Sequence, residues 1–168
     1  MTIRISALAL LIITALGSGC TSSRTLTVYC HEGALVRTDL GTPGPSQADL
    51  TTWWADVHET LPESLDPADS PVVGIASGFN VVTVSEGGMT ERPGREYRVS
   101  NFHLVWFDSN DELVWTGLHD YGHDDGRLIN VADRPISGGT GRFLGSHGRS
   151  VVTPLGDKWF QVDLYIEN

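Results

Sequence analysis

Short strand-like runs follow one another from residue 72 to the C-terminus, separated by turns that carry Gly, Asp or Asn. Such short connections join antiparallel strands, because a parallel pair needs a long crossover. No segment in this region has the apolar spacing of a helix. The pattern predicts an antiparallel meander whose strands cover residues 72–85, 97–108, 112–121, 127–132, 149–153 and 158–167.

The hairpin between the second and third of these strands indicates how the sheet is covered. A turn at Ser109 and Asn110 would pair Phe102 with Gly117. One face of the hairpin would then carry Phe102, Leu104, Trp106, Leu113, Trp115, Gly117 and His119. The opposite face is also largely apolar, whereas a sheet with one wet side shows cleaner alternation. We therefore expect a closed barrel whose outer wall is partly covered, by the N-terminal segment or by other subunits. A two-sheet sandwich is the alternative.

The segment before residue 71 differs from the rest of the chain in its pattern of apolar residues and in its proline content. Residues 25–31 alternate apolar and polar side chains and predict a strand. Prolines at positions 43, 45, 62 and 67 indicate that residues 37–70 are mostly irregular. Within them, Asp49 is placed to cap a short helix over residues 48–60 that would include Trp54 and Val57.

The first 19 residues have the pattern of a signal peptide. Arg4 precedes an uncharged run over residues 5–16, which is shorter than the roughly 20 residues of a membrane-spanning helix. The small residues before Cys20 resemble a bacterial lipobox, so we expect Cys20 to be acylated and the protein to be an extracytoplasmic membrane lipoprotein. The alternative is a secreted protein cleaved after Gly17, in which Cys20 and Cys30 form a disulfide.

The net charge and the residue types argue against two classes of partner, nucleic acids and metal ions. The chain of 168 residues has a formal net charge of −10, which repels nucleic-acid phosphates and argues against a nucleic-acid partner. Residues 119–125 contain His and Asp side chains of the types that bind metals. They end a strand and enter a Gly-bearing turn, without the spacing of a metal-binding helix. We therefore predict no metal site, and no cofactor is expected.

Two patches resemble the dirigent and allene oxide cyclase family. Residues 71–79, PVVGIASGF, are similar to the V-G-x-A-x-G of its core strand, and residues 136–150, ISGGTGRFLGSHGRS, match its I-x-G-G-T-G-x-F-x-x-A-R-G. The resemblance covers residues 71–168 and implies a closed antiparallel eight-stranded β-barrel that assembles as a homo-oligomer, a trimer or a dimer. Residues 1–19 would precede it as signal peptide, and residues 20–70 as a tether and irregular segment with a first strand.

The glycine-rich block has a structural meaning of its own. Gly138, Gly139 and Gly141 would supply positive φ angles or close backbone approach at a tight corner. Thr140 would form a hydrogen bond in the turn, and Phe143 would anchor it in the core. No Lys follows Gly141 as in a phosphate-binding loop, so the block predicts an architecture rather than a site.

The resemblance also implies a function. The barrel would bind a small apolar or aromatic molecule and, as an enzyme, would be a cofactor-free cyclase or isomerase. The alternative is a non-enzymatic binding or interaction module on the cell surface. We expect Phe102, Trp106 and Trp115 to form the wall of the ligand site. The polar groups expected near its mouth are His119, Tyr121 and His147, the last of which replaces an arginine of the family motif.

Overall fold

The structure is a computed structural model that describes residues 23–44, 46–84, 95–122, 128 and 130–168. Eight antiparallel strands pair in sequence order and close into a barrel, which confirms the predicted fold class. The strands are β1 (Ser23–Thr38), β2 (Leu50–His58), β3 (Val72–Val84), β4 (Arg95–Trp106), β5 (Glu112–Gly122), β6 (Ala132–Gly139), β7 (His147–Gly156) and β8 (Trp159–Glu167). Among the described residues, no helix has the length and apolar character needed to span a membrane.

Strand β1 closes the barrel because it pairs with β8 on one side and with β2 on the other. Its first part pairs with β8, from Ser23 opposite Glu167 to His31 opposite Trp159. Its second part pairs with β2, and a bulge interrupts this ladder between Glu32 and Ala34. Beyond the bulge β1 continues along β2 alone, so the strands are staggered as closure of a barrel requires.

The predicted helix over residues 48–60 is wrong, because these residues form the barrel strand β2. Leu50, Trp53, Trp54 and Val57 have helical spacing, but β2 is held by ladders to β1 and β3 on its two sides. Pairing in the tertiary structure therefore overrides the local pattern. The barrel consequently begins at Ser23 and includes residues expected to belong to the irregular segment, rather than starting at residue 71.

Strand β6 also lies further along the chain than predicted. It covers Ala132–Gly139 rather than residues 127–132, and Leu128 makes only an isolated bridge with Tyr121. Pro135 weakens the strand pattern in the sequence, since proline has no N–H for a ladder. In the barrel, Pro135 pairs with Arg149 of β7, where its ring lies on the exposed outer side.

The hairpin of β4 and β5 has the predicted faces but a different register. Phe102 pairs with Trp115 rather than with Gly117, because the turn is longer and spans residues 107–110. Asn110 supplies the positive φ of 56° in this turn. The register differs by an even number of residues, so every side chain keeps its face, as the period of two requires.

The glycine-rich corner after β6 is built as predicted. Gly138 and Gly141 have positive φ angles of 150° and 54°. A Cβ on Gly139 would lie 2.5 Å from the carbonyl oxygen of Glu112, so only glycine fits there. The Thr140 hydroxyl accepts a hydrogen bond of 3.0 Å from the Glu112 N–H. Phe143 is fully buried and fills one end of the barrel against Trp106, with 4.8 Å between ring centroids.

An ion-pair network lies at the opposite end, which we call the upper end and which holds the starts of β2, β4, β6 and β8. Buried Glu96 binds the guanidinium of Arg98 and also lies 3.4 Å from Nη2 of Arg37. Arg37 in turn binds Asp49 at 3.0 Å. Burial opposes ionisation of Asp49, but hydrogen bonds from Ser46, Arg37 and Leu40 outweigh it and lower its pKa to about 2.

Segment 59–71 covers part of the outer wall. Under it, the rings of His58 and Trp159 pack with centroids 5.0 Å apart, and both side chains are almost fully buried. The Trp159 indole N–H donates a hydrogen bond of 2.9 Å to the carbonyl oxygen of Leu65. Elsewhere the outer wall exposes large apolar side chains on four neighbouring strands and the end of β1, among them Val36, Trp54, Phe79, Val99 and Leu118. The outer wall is thus covered in part by the N-terminal segment, as expected.

Candidate functional site

A pocket lies inside the upper half of the barrel. It contains about 620 Å³ of empty space, including the part that opens to solvent. Its wall comes from the inward-facing positions of seven of the eight strands and from Leu128, and most of it is apolar. Two alanines, Ala55 and Ala76, lie opposite each other on β2 and β3 and line the space where larger side chains would fill it.

Aromatic rings form one wall of the pocket. Phe102 stacks on Trp115 with 5.6 Å between ring centroids and an interplanar angle of 12°. The ring of Trp53 packs against that of Phe102, with 4.8 Å between the ring centroids. Flat rings of this kind provide a large contact area for a planar or unsaturated ligand. The indole N–H groups of Trp53 and Trp115 have no hydrogen-bond partner among the described residues.

Next to this aromatic wall, Tyr121 belongs to a chain of hydrogen-bonded polar groups. The Tyr121 hydroxyl lies 2.7 Å from the hydroxyl of Ser100, and Nη2 of Arg134 donates a hydrogen bond of 2.8 Å to it. The guanidinium of Arg134 also lies over the ring of Phe102, at 4.7 Å from its centroid. Burial lowers the pKa of Arg134, and the neighbouring Tyr121 acts in the opposite direction.

Three further polar side chains reach the pocket. Glu32 and Cys30 come from β1, and Asn80 comes from β3. Burial raises the pKa of the Cys30 thiol to about 12, so the thiol stays protonated at neutral pH and is a poor nucleophile. Cys30 is a free cysteine whose side chain lies inside the barrel. Its alternative disulfide partner, Cys20, is outside the described residues.

The structure brings three of the six predicted site residues into this pocket. Phe102, Trp115 and Tyr121 line it. His119 is next to them on the same face of β5, with its ring 6.5 Å from that of Tyr121 and its Nε2 3.3 Å from Asp120. The β4 and β5 hairpin singled out by the sequence therefore forms one part of the pocket wall, and the other strands supply the rest.

The other two predicted residues lie at the lower end of the barrel. Trp106 ends β4 and packs on Phe143, so it does not line the pocket. His147 begins β7, is exposed, and lies 3.4 Å from Glu167 at the surface. Antiparallel topology explains both positions, because the end of β4 and the start of β7 meet at the end of the barrel opposite Tyr121. Neither residue can touch a ligand held in this pocket.

The sequence alone does not identify Glu32, Asn80 and Arg134 as site residues, and it does not distinguish a pocket position of Trp53 from a core position. Trp53 was hidden by the helical spacing of its segment. Arg134 lies in a period-two row with Ala132 and Ile136, and this alternation is the signal that places it inside the barrel. Among the described residues, no group of three or more His, Cys, Asp or Glu side chains is arranged to hold a metal ion. Residues 123–125 of the His- and Asp-rich stretch lie outside them.

The sequence matches no protein-family model and no curated protein. Solved structures do match. The pterocarpan synthase dirigent protein GePTS1 superposes with a TM-score of 0.64 and 16% identity, covering 98% of this chain and 99% of that one. The chain has the dirigent-like barrel fold. The resemblance carried by residues 71–79 and 136–150 is therefore confirmed at the level of architecture.

Other structures share this dirigent-like barrel. A pyocyanin demethylase matches with a TM-score of 0.62 and 18% identity, covering 85% of this chain and 99% of its own. AbnU, an exo-specific intermolecular Diels-Alderase, matches with a TM-score of 0.59 and 12% identity, covering 88% of this chain and 99% of its own. Proteins with different chemistry thus share the dirigent-like barrel.

Proposed function

We propose that this protein is an exported dirigent-like barrel that binds a small apolar or aromatic molecule and acts on it as a cofactor-free cyclase or isomerase. The observation that carries the proposal is the pocket walled by Trp53, Phe102 and Trp115, with polar groups from Tyr121 and Glu32. A ligand site is expected to have this composition, mostly apolar with a few placed polar groups. The similar structures, which include a dirigent protein and a Diels-Alderase, support a ring-forming reaction.

The pocket would promote cyclisation mainly by confinement. A flexible substrate held between the stacked rings and the small Ala55 and Ala76 has few conformations left, which lowers the entropic part of the barrier. The Tyr121 hydroxyl would donate a hydrogen bond to charge that develops on the substrate. Glu32 would accept or return a proton. Cys30 would stay a thiol and form part of the wall.

A non-enzymatic binding module is the second candidate, favoured by the protonated state of Cys30 and by the exposed position of His147 far from the pocket. Both candidates require binding, so the first test is a thermal-shift screen with phenolic and oxylipin-like compounds. We expect stabilisation by several of them. The absence of any shift across the panel would contradict both candidates. Turnover of a bound compound, followed by mass spectrometry, separates enzyme from binding module.

Export, the lipid anchor and assembly are also proposals. Mass spectrometry of the exported protein should find a diacylglyceryl group on Cys20, whereas a mature N-terminus at Ser18 would overturn the anchor. The exposed apolar row formed by Val36, Trp54, Phe79, Val99 and Leu118 supports a homo-oligomer, a trimer or a dimer. Sedimentation should then give a multiple of the monomer mass, and a monomer at micromolar concentration would contradict it.

A further inference from the structure

Arg134 is a buried cation with an incomplete set of partners. Its side chain is 1% exposed. Its contacts are one hydrogen bond to the Tyr121 hydroxyl and the face of the Phe102 ring. Among the described residues, Nε and Nη1 of the guanidinium have no hydrogen-bond partner, and no carboxylate pairs with it. Burying a charge in this state is costly, so such groups normally have a counter-charge.

Arg98, a second buried arginine among the described residues, has a complete set of partners. Arg98 is equally buried, but it binds the carboxylate of Glu96 and donates a hydrogen bond of 2.8 Å to the hydroxyl of Thr51. Arg98 is therefore explained by the ion-pair network of the fold. Arg134 lies outside that network, next to two residues that line the pocket.

The barrel makes room for Arg134 in a specific way. The β5–β6 ladder ends where Trp115 pairs with Ile136, and Gly117 follows on β5. A Cβ on Gly117 would lie 3.1 Å from Cγ of Arg134, so the absence of a side chain there lets the arginine stem pack across β5. On β7 the residue directly opposite Arg134 is Ser150, whose buried hydroxyl also has no partner among the described residues.

The Tyr121 hydroxyl has two hydrogen-bonding neighbours, Arg134 and Ser100. Arg134 has only protons to donate, so the Tyr121 oxygen is its acceptor. When the Ser100 hydroxyl, 2.7 Å away, also donates to that oxygen, both lone pairs are used. The phenolic proton of Tyr121 is then free for a third partner, and Tyr121 lines the pocket. That partner must be an acceptor, and the cation behind the phenol favours a negatively charged one.

We propose that Arg134 and Tyr121 form an anion subsite, and that the ligand of this pocket carries an acidic oxygen, a carboxylate or a phenolate, which supplies the counter-charge that no described residue gives to Arg134. This inference rests on the proposed function, because it requires a ligand in the pocket. It makes the ligand an aromatic or unsaturated acid rather than a neutral apolar molecule. The ring system would lie against Trp115 and Phe102 with the oxygen at the Tyr121 hydroxyl.

Calorimetric titration with matched probes tests the subsite at pH 7.5. The probes are 2-naphthoate and its neutral methyl ester, and 4-nitrophenolate and its neutral methyl ether. A charge-assisted hydrogen bond predicts about tenfold or greater preference for the charged member of a pair. The pair that shows the larger preference tells whether a carboxylate or a phenolate is the natural group.

Variants separate the subsite from general charge effects. Arg134→Met should reduce the preference to below about threefold, and Arg149→Met should retain it, because Arg149 pairs with Asp133 on the outer surface. Tyr121→Phe keeps the ring and removes the hydroxyl, so it should also reduce the preference. It is the variant to use if Arg134→Met does not fold. Equal binding of charged and neutral probes by the unmodified protein, or a preference that survives in both variants, would overturn the anion subsite alone. Failure of every probe to bind would overturn the subsite together with the proposed function.

Discussion

Replacing Ala76 with leucine decides whether the barrel holds an open pocket or a packed core. Ala76 is 2% exposed and faces the pocket beside Ala55. Leucine adds three carbon atoms, each of which contributes about 0.8 kcal/mol when buried without strain. Ordering the longer side chain costs about 0.5 to 1 kcal/mol. In an open pocket, Ala76→Leu should therefore raise the free energy of unfolding by about 1 to 2 kcal/mol and weaken ligand binding.

The matched control is Ala132→Leu. Ala132 is fully buried on the inner face of β6 but does not line the pocket. The same substitution there overpacks the core and should lower the free energy of unfolding by about 1 to 3 kcal/mol. Urea unfolding followed by tryptophan fluorescence measures both variants. If Ala76→Leu destabilises the protein as much as Ala132→Leu does, the space beside Ala76 is a packed core and not an open pocket.

Three further predictions concern individual groups. Burial raises the pKa of the Cys30 thiol to about 12. At pH 8 this thiol should therefore react with iodoacetamide roughly a thousandfold more slowly in the folded than in the urea-unfolded protein. Mass spectrometry measures the two rates, and similar rates would contradict the burial of Cys30. The low pKa of Asp49, about 2, contributes stability above pH about 4 that is lost as the pH falls towards 2. Asp49→Asn should therefore remove that part of the pH dependence of the free energy of unfolding, as measured with urea. An unchanged pH dependence would show that Asp49 is not its source. Gly139→Ala places a Cβ 2.5 Å from the carbonyl oxygen of Glu112 and should lower the free energy of unfolding by about 1 to 3 kcal/mol. An unaltered melting temperature would show that the backbone of the corner shifts to accommodate the Cβ.

The sequence predicted the C-terminal part of the barrel well because its signals are local. Gly138, Gly139 and Gly141 each meet a backbone requirement that only glycine satisfies cheaply, so the corner was readable before the fold was known. The faces of the hairpin were also readable, because a shift of register by an even number of residues leaves Phe102 and Trp115 inside.

The features that could not be predicted from the sequence depend on contacts between segments that are distant in the chain. Strand β2 has helical spacing at Trp53 and Trp54, and its true state follows only from pairing with β1 and β3. The partners of Arg134 lie on other strands, and no local pattern reveals that this buried arginine has no carboxylate partner among the described residues. His147 was assigned to the mouth from its place in a motif, but the end of the barrel that receives the start of β7 is set by topology.

The proposed function requires that the barrel hold a small aromatic molecule between its inner walls. The most direct measurement is an isotope-edited nuclear Overhauser spectrum of the labelled protein with unlabelled 2-naphthoate. We expect contacts from the naphthalene protons to the Ala76 methyl group and to the side chains of Trp115 and Val162, all of which line the pocket. Contacts confined to outer residues such as Phe79 and Leu118, or no intermolecular contacts at millimolar ligand, would contradict it.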